Sequence, residues 1–215
     1  MVKPLSENLN IIELGRRGYA EALEIQLNAV EQLKAGEEKD TLILVEHDPV
    51  YTLGRGADKT NVLASKGELK KAGIDLVQSD RGGDVTYHGP GQVVAYPVIN
   101  LRARGEGVLW YVESLEKTVL NVIKKLGIEG GTDSANRGVW VGNDKIAAIG
   151  VRVTRGITMH GFALNVRVNI EQYRGIIPCG IIGKGITSLH KFVPDITMKR
   201  AFSLVAETFV DVFGY

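Results

Sequence analysis

Two spacings of apolar residues alternate along the chain. Positions 23, 25, 27, 30 and 33 recur at roughly helical spacing and predict a helix over 19–33, with a short strand before it at 10–14. The run TLILV at 41–45 reads as a buried strand, ended by His47-Asp48-Pro49 before a second apolar stretch at 50–53. Residues 57–73 are polar and read as loop plus a short surface helix ending at Gly73. Ile74, Leu76 and Val77 precede a glycine-rich turn. Val85 and Tyr87, then the run at 93–99, predict strands on either side of a loop at 88–92. Between 106 and 126 the apolar residues fall three and four apart, the mark of a long amphipathic helix stopped by Gly127. Three antiparallel strands follow at about 138–142, 145–154 and 157–166, separated by Asn143-Asp144 and Arg155-Gly156. A helical turn at 169–173 and a final amphipathic helix at 198–213 complete the pattern.

These elements imply an α+β fold, with a central mixed and largely antiparallel sheet under packed helices. No repeat, low-complexity tract or linker divides the 215 residues, so residues 1–215 are expected to form a single domain. Residues 185 onward could form a small C-terminal subdomain. A net charge of +1 gives no bulk attraction to nucleic acid or to an anionic membrane. No stretch approaches 18 apolar residues, which argues against a membrane span. One cysteine and an N-terminus without an apolar signal run favour a reducing cytoplasm. The absence of heptads makes a monomer the default. His47, His88, His160 and His190 show no paired ligand spacing, so no metal site is expected.

Three places could carry chemistry. In RGGDVTYHGPGQ, at 81–92, five of twelve residues are Gly or Pro, which lets main-chain N–H groups approach a ligand. The alternative is an ordinary hairpin turn. It matches neither the phosphate loop nor the dinucleotide fingerprint, so ATP and NAD are not implied there. Lys145 opens the small-residue strand Ile146-Ala147-Ala148-Ile149-Gly150, either as a solvated turn residue or as an amine against a pocket wall. Cys179 lies between Pro178 and Gly180. It is either a small buried hydrophobe or a thiol presented by a rigid loop, where a nearby cation or base would be needed to form the thiolate. Lys145, His88 and His160 are the candidate partners. Neither histidine has an obvious acidic partner in the sequence, which weakens a Cys-His hydrolase.

Taken in order, VEHDPVYTLGR, RGGDVTYHGPGQ, GVWVGNDKIAAIG, HGFALN and IIPCG resemble the octanoyltransferases of lipoate biosynthesis, the lipoyl(octanoyl) transferase family. The likeness covers about 45–190. It implies a fold related to the biotin and lipoate protein ligases and a ping-pong acyl transfer. Octanoyl would pass from octanoyl-acyl carrier protein to Cys179, with Lys145 as its partner. It would then pass to a lysine of the lipoyl domains of 2-oxoacid dehydrogenase E2 subunits and of glycine cleavage H protein. By motif match the substrate pocket comprises Arg81, Gly82, Gly83, Asp84, Val85, Thr86, Tyr87 and His88, with Ala148, Ile149 and Gly150, and Gly161, Phe162 and Ala163. No ATP, metal or other cofactor is implied, and no nucleic acid or membrane partner. The rivals are an ATP-dependent lipoate or biotin protein ligase on the same fold and a non-catalytic acyl-carrier-binding protein.

Overall fold

The computed structural model describes residues 8–178 and 183–215. In chain order the elements are β1 (Leu9–Arg17), α1 (Tyr19–Ala35), β2 (Asp40–His47), β3 (Val50–Leu53), α2 (Lys66–Ala72), β4 (Asp75–Gln78), β5 (Val85–His88) and β6 (Gln92–Val98). There follow α3 (Leu101–Arg104), α4 (Val108–Lys125), β7 (Gly131–Thr132), β8 (Gly138–Val141), β9 (Asp144–Thr154), β10 (Ile157–Asn165), β11 (Gly185–Ile186) and α5 (Met198–Phe213). The boundaries follow local chemistry. Ser65 and Glu68 exchange hydrogen bonds as a capping box that starts α2, and Thr197 caps α5 by accepting from Arg200 N. The β9–β10 turn places Arg155 and Gly156 at φ of 53° and 88°, the two positive values a tight hairpin needs.

The main sheet runs β1-β2-β6-β10-β9-β8-β7, with β11 added alongside β9. Most neighbours are antiparallel, while β1 with β2 and β11 with β9 are parallel. Alternation along the central strands divides the core. Leu42, Leu44, Val93, Ala95 and Leu164 face α4 and α5, whereas Ile43, Val45, Val94, Tyr96 and Ala163 face α1. Buried on both sides, these strands read as continuous apolar runs. The residues from 185 onward make no subdomain of their own. Leu189, Ile196, Phe202 and Phe209 join the core that α4 builds.

A second sheet was not foreseen. Strands β4-β3-β5 pair apart from the main sheet, β3 parallel to β4 and antiparallel to β5. The strands flanking residues 88–92 therefore do not form a hairpin. Gly91 N donates to the Glu46 carboxylate at 2.6 Å, and its carbonyl accepts from Val166 N and Arg167 N at 2.9 and 2.8 Å. The loop is thus tied to β2 and to the end of β10, and β5 turns away to pack Val85 and Tyr87 against Tyr51 and Tyr173. The short elements α3, β7 and β11 carry too few residues to show a period. No helix among the described residues is long and apolar enough to cross a membrane.

Candidate active site

Strands β9 and β10 run antiparallel with Ala148 opposite Ala163 and Gly150 opposite Gly161. Small residues at this crossing leave the sheet surface open. Loop 81–84 folds onto it, held by Gly82 N donating to Val151 O at 2.8 Å. The closeness needs glycine: a Cβ on Gly150 would stand 3.0 Å from Gly82 O and 3.1 Å from Arg81 Cδ, and one on Gly161 would overlap the Ala95 carbonyl. Between loop and sheet lies a mostly apolar pocket. Its walls are Arg81, Gly83, Asp84, Thr86 and His88 from the loop and β5, Ala148, Ile149 and Gly150 from β9, and Gly161, Phe162 and Ala163 from β10. Tyr19 from α1, Val94 and Tyr96 from β6, and His160 complete it.

Three residues expected in this lining are not there. The two-residue period of β5 that turns Thr86 and His88 inward sends Val85 and Tyr87 into the other core. Gly82 lies one step along, in an adjoining groove that also holds Lys145, Arg137, Val112 and Val151.

The pocket is polar at one end, where its histidines are neutral and the charges of Arg81 and Asp84 are tied up in hydrogen bonds. His47 is held between Arg17 O at 3.1 Å and the Tyr96 hydroxyl at 2.8 Å. The carbonyl can only accept, so Nδ1 carries the proton and Nε2 accepts from Tyr96. Burial pushes the His47 pKa down to about 4. His88, buried, is driven well below the usual range by burial, reinforced by its neighbours His47 and Arg81. His160 is also lowered by burial, although the Asp80 carboxylate pulls the other way. All three are neutral at pH 7. The Arg81 guanidinium is engaged locally, donating to Thr52 Oγ1 at 3.1 and 2.9 Å, to Thr52 O at 2.5 Å and to Gly82 O at 3.0 Å.

Two acidic groups fix this wall. Asp84 accepts from Asn61 Nδ2 at 2.5 Å and from Val85 N at 2.7 Å. Asp80 accepts from His160 Nε2 at 2.7 Å and also pairs with Arg152. Burial raises the Asp80 pKa, but His160 and Arg152 outweigh it and hold the carboxyl below its ordinary value. His160 therefore does have an acidic partner, contrary to the sequence reading. Its backbone is left-handed, φ 55°, which turns its N–H off the strand ladder to Gln26 Oε1 at 3.0 Å.

Lys145 stands at the opposite end of β9. Although a lysine, it is buried, 5% exposed, and so is not the solvated turn residue. Its Nζ donates to Arg137 O at 3.2 Å and sits 4.7 Å from the Trp140 ring centroid. Lys184 approaches the same ring at 4.3 Å and pairs with Asp133 at 2.8 Å. Trp140, Lys145, Pro178, Lys184, Gly185 and Ile186 line one crevice. Cys179 lies outside the described residues. His160 is opposite Val151, six residues from Lys145 along β9, a separation of roughly 20 Å. It is remote from the lysine crevice. Sequence reasoning missed Tyr19, Asp80, Tyr96 and Trp140; Trp140 sits in the GVWVGNDKIAAIG motif without having been singled out, while the folding of α1, β6 and the segment after β4 onto the same strands brings in the other three. Among the described residues no three His, Cys, Asp or Glu side chains are grouped to hold a metal.

Comparison with known proteins bears on the fold and the family. The model of the lipoyl protein ligase A/B catalytic domain matches residues 18–210. An octanoyltransferase of Alkaliphilus metalliredigens is 47% identical over 210 residues, covering 97% of this chain and 96% of its own. Among solved structures, a lipoate-protein ligase A bound with ATP superposes with a TM-score of 0.74 at 15% identity, over 96% of this chain and 85% of that one. Biotin protein ligase from Aquifex aeolicus gives 0.54 at 12% identity, over 97% and 69%. At such identities the two structures speak for the fold alone, the α+β architecture expected from the sequence.

Proposed function

Because this chain belongs to the lipoyl protein ligase A/B catalytic-domain family, and within it to the octanoyltransferases, we propose that its residues 1–215 act as one catalytic unit that uses Cys179 as nucleophile and Lys145 as proton carrier. The enzyme is an acyltransferase of lipoylation, and lipoyl domains are its acceptors. The donor is octanoyl-acyl carrier protein, the acceptors include E2 subunits and glycine cleavage H protein, and the compartment is the reducing cytoplasm, where the thiol stays free.

The observation that carries this reading is the crevice at Lys145. The residue that precedes Cys179 in the chain, Pro178, lines it, and so do Lys184, Gly185 and Ile186 soon after. The strand that bears Lys145 then continues as the wall of the apolar pocket through Ala148, Ile149 and Gly150. An acyl group joined to Cys179 would thus have a chain-shaped site leading away from it.

The chemistry follows from these roles. The Lys145 ammonium favours thiolate over thiol by Coulomb attraction in a partly dry site. Cys179 S⁻ attacks the donor thioester carbonyl, the tetrahedral oxyanion collapses, and pantetheine leaves as the thiol with a proton from Lys145. The acyl-enzyme is another thioester, so this exchange is close to thermoneutral and needs no ATP. In the second half-reaction the acceptor lysine attacks as the free amine, Lys145 takes its proton, and Cys179 leaves as thiolate. The amide product makes the second step downhill, and the ammonium–thiolate pair is restored. Each methylene of the octanoyl chain placed in the pocket contributes about 0.8 kcal/mol of binding. Neutral His47, His88 and His160 suit that use, since a charged imidazolium would have to be desolvated by the chain.

The test is intact mass after incubation with octanoyl-acyl carrier protein without ATP. Wild type should gain one octanoyl group that hydroxylamine removes and a lipoyl domain discharges, and Cys179→Ser should gain none. Lipoyl-domain modification that appears only with ATP and free acid would replace this reading with a ligase.

A further inference from the structure

Lys145 is held by a carbonyl, and that carbonyl is held by a buried acid. Glu116 lies in the middle of α4 with its side chain 4% exposed, on the face turned to the sheet. A carboxylate there is costly unless it is fully bonded. Its two oxygens are used on consecutive residues: Oε2 accepts from Arg137 NH1 at 3.0 Å and Oε1 accepts from Gly138 N at 3.1 Å. The peptide that joins those two residues is the one whose oxygen, Arg137 O, accepts from Lys145 Nζ at 3.2 Å. Gly138 completes the fit. Its φ of 134° suits glycine, and a Cβ there would meet the Lys145 stem, 3.4 Å from Cε, and would overlap the opposing backbone at Ala147 O.

We propose that Glu116 is a positioning residue for acyl transfer, fixing the Arg137–Gly138 peptide so that its carbonyl orients the Lys145 amine. This rests on the reading of Lys145 as the partner of Cys179. A carboxylate suits this role because it binds the backbone N–H and the guanidinium at once, with charge-assisted bonds that a neutral side chain would not match. One oriented bond to the ammonium limits where the remaining N–H groups point. Proton transfer is sensitive to that placement, and a shift of about 1 Å can cost a hundredfold. Among the described residues, the charged groups near this site besides Glu116 and Arg137 include Lys184, which shares the Trp140 ring and pairs with Asp133, and Asp144, next to Lys145 in the chain, which Lys191 approaches at 3.6 Å. None of these groups is bonded to Glu116.

Because Cys179 is the only cysteine in the chain, iodoacetamide reports on one thiol. The experiment measures the alkylation rate against pH, and the saturating acylation rate and KM with octanoyl-acyl carrier protein, for wild type, Glu116→Gln, Glu116→Asp, Arg137→Leu, Lys145→Ala and Glu116→Gln/Lys145→Ala. Glu116→Gln should lower the saturating rate about tenfold to a hundredfold with KM within about twofold. Its alkylation profile should move to higher pH, Arg137→Leu should move it the same way by less, and Glu116→Asp should recover part of the rate. The double variant should be no slower than Lys145→Ala alone, as expected of groups that act through one another. Additive losses, or a loss that follows a fall in thermal stability while the alkylation profile stays put, would overturn the role of Glu116. If Glu116→Gln does not fold, Arg137→Leu decides by the same profile and the same additivity with Lys145→Ala. An unmoved profile in Lys145→Ala itself would overturn the parent reading, and this inference with it.

Discussion

Strand β9 has two ends that differ in almost every respect relevant to chemistry. At Lys145 the surroundings are cationic and aromatic, with two ammonium groups near the Trp140 ring and Pro178 alongside. At Val151 the residue opposite is His160, kept neutral by burial, with the formal charges of Asp80 and Arg152 paired to each other. At the first end two ammonium groups meet one aromatic ring; at the second the charges of Arg81 and Asp84 are tied into hydrogen bonds with Thr52, Gly82, Asn61 and Val85, beside histidines left neutral. One strand joins the two, with Lys145 lining the crevice at one end and the small residues Ala148 and Gly150 lining the pocket further along.

The largest expected effect breaks the charged end. Lys145→Ala should slow acylation of Cys179 by about a hundredfold to ten-thousandfold near neutral pH, and by less in alkali where the thiol ionises unaided. Single-turnover acylation followed by mass across pH checks both the size and the slope; an equal loss at every pH would mean a structural role.

The next breaks the neutral end by acid. His47, His88 and His160 have folded pKa values lowered by burial, so below the unfolded value of about 6.5 the unfolded chain binds more protons than the folded one. Stability is then fully present above that pH and is lost as pH falls, for His47 down to about 4. Melting temperature should drop through this window, each unit of pKa difference being worth about 1.4 kcal/mol. His47→Gln should flatten the curve, even if it is less stable at pH 7.

A narrower change sharpens the contrast between the ends. Ala148→Leu fills the pocket wall without touching the lysine crevice. It should raise KM for an octanoyl donor about tenfold, with a hexanoyl donor less affected, because methylenes lose their site at about 0.8 kcal/mol each. Competition between the two donors measures this. As a reference outside both ends, Glu31→Ala removes the exposed pair with Lys34 on α1 and should change stability by under about 0.5 kcal/mol in urea denaturation.

Much of this contrast could be read along the chain, for identifiable reasons. The helix ending at Gly127, the hairpins around β9, the final helix and the family motifs rest on local signals: periodicity, turn residues, and residue types in fixed spacing. Lys145 was a candidate because a lysine opening an apolar strand is unusual, yet its burial depends on Trp140 and Ile186, which pair beside it from strands β8 and β11. Thr86 and His88 line the pocket while Val85 and Tyr87 do not, since alternate side chains of a strand point to opposite faces and the motif match took in both. The Asp80–His160 bond joins residues 80 apart and left no mark in the sequence.

The sequence by itself determined the longer elements, the family and the residue types that chemistry requires, because each depends on neighbours within a few positions or on motifs in order. Only the tertiary structure decided that β5 leaves the main sheet, that three histidines are neutral, and that Glu116 reaches the peptide holding Lys145. Those outcomes depend on burial and on contacts between distant segments, and desolvation is a property of the surroundings a fold creates rather than of any stretch of chain.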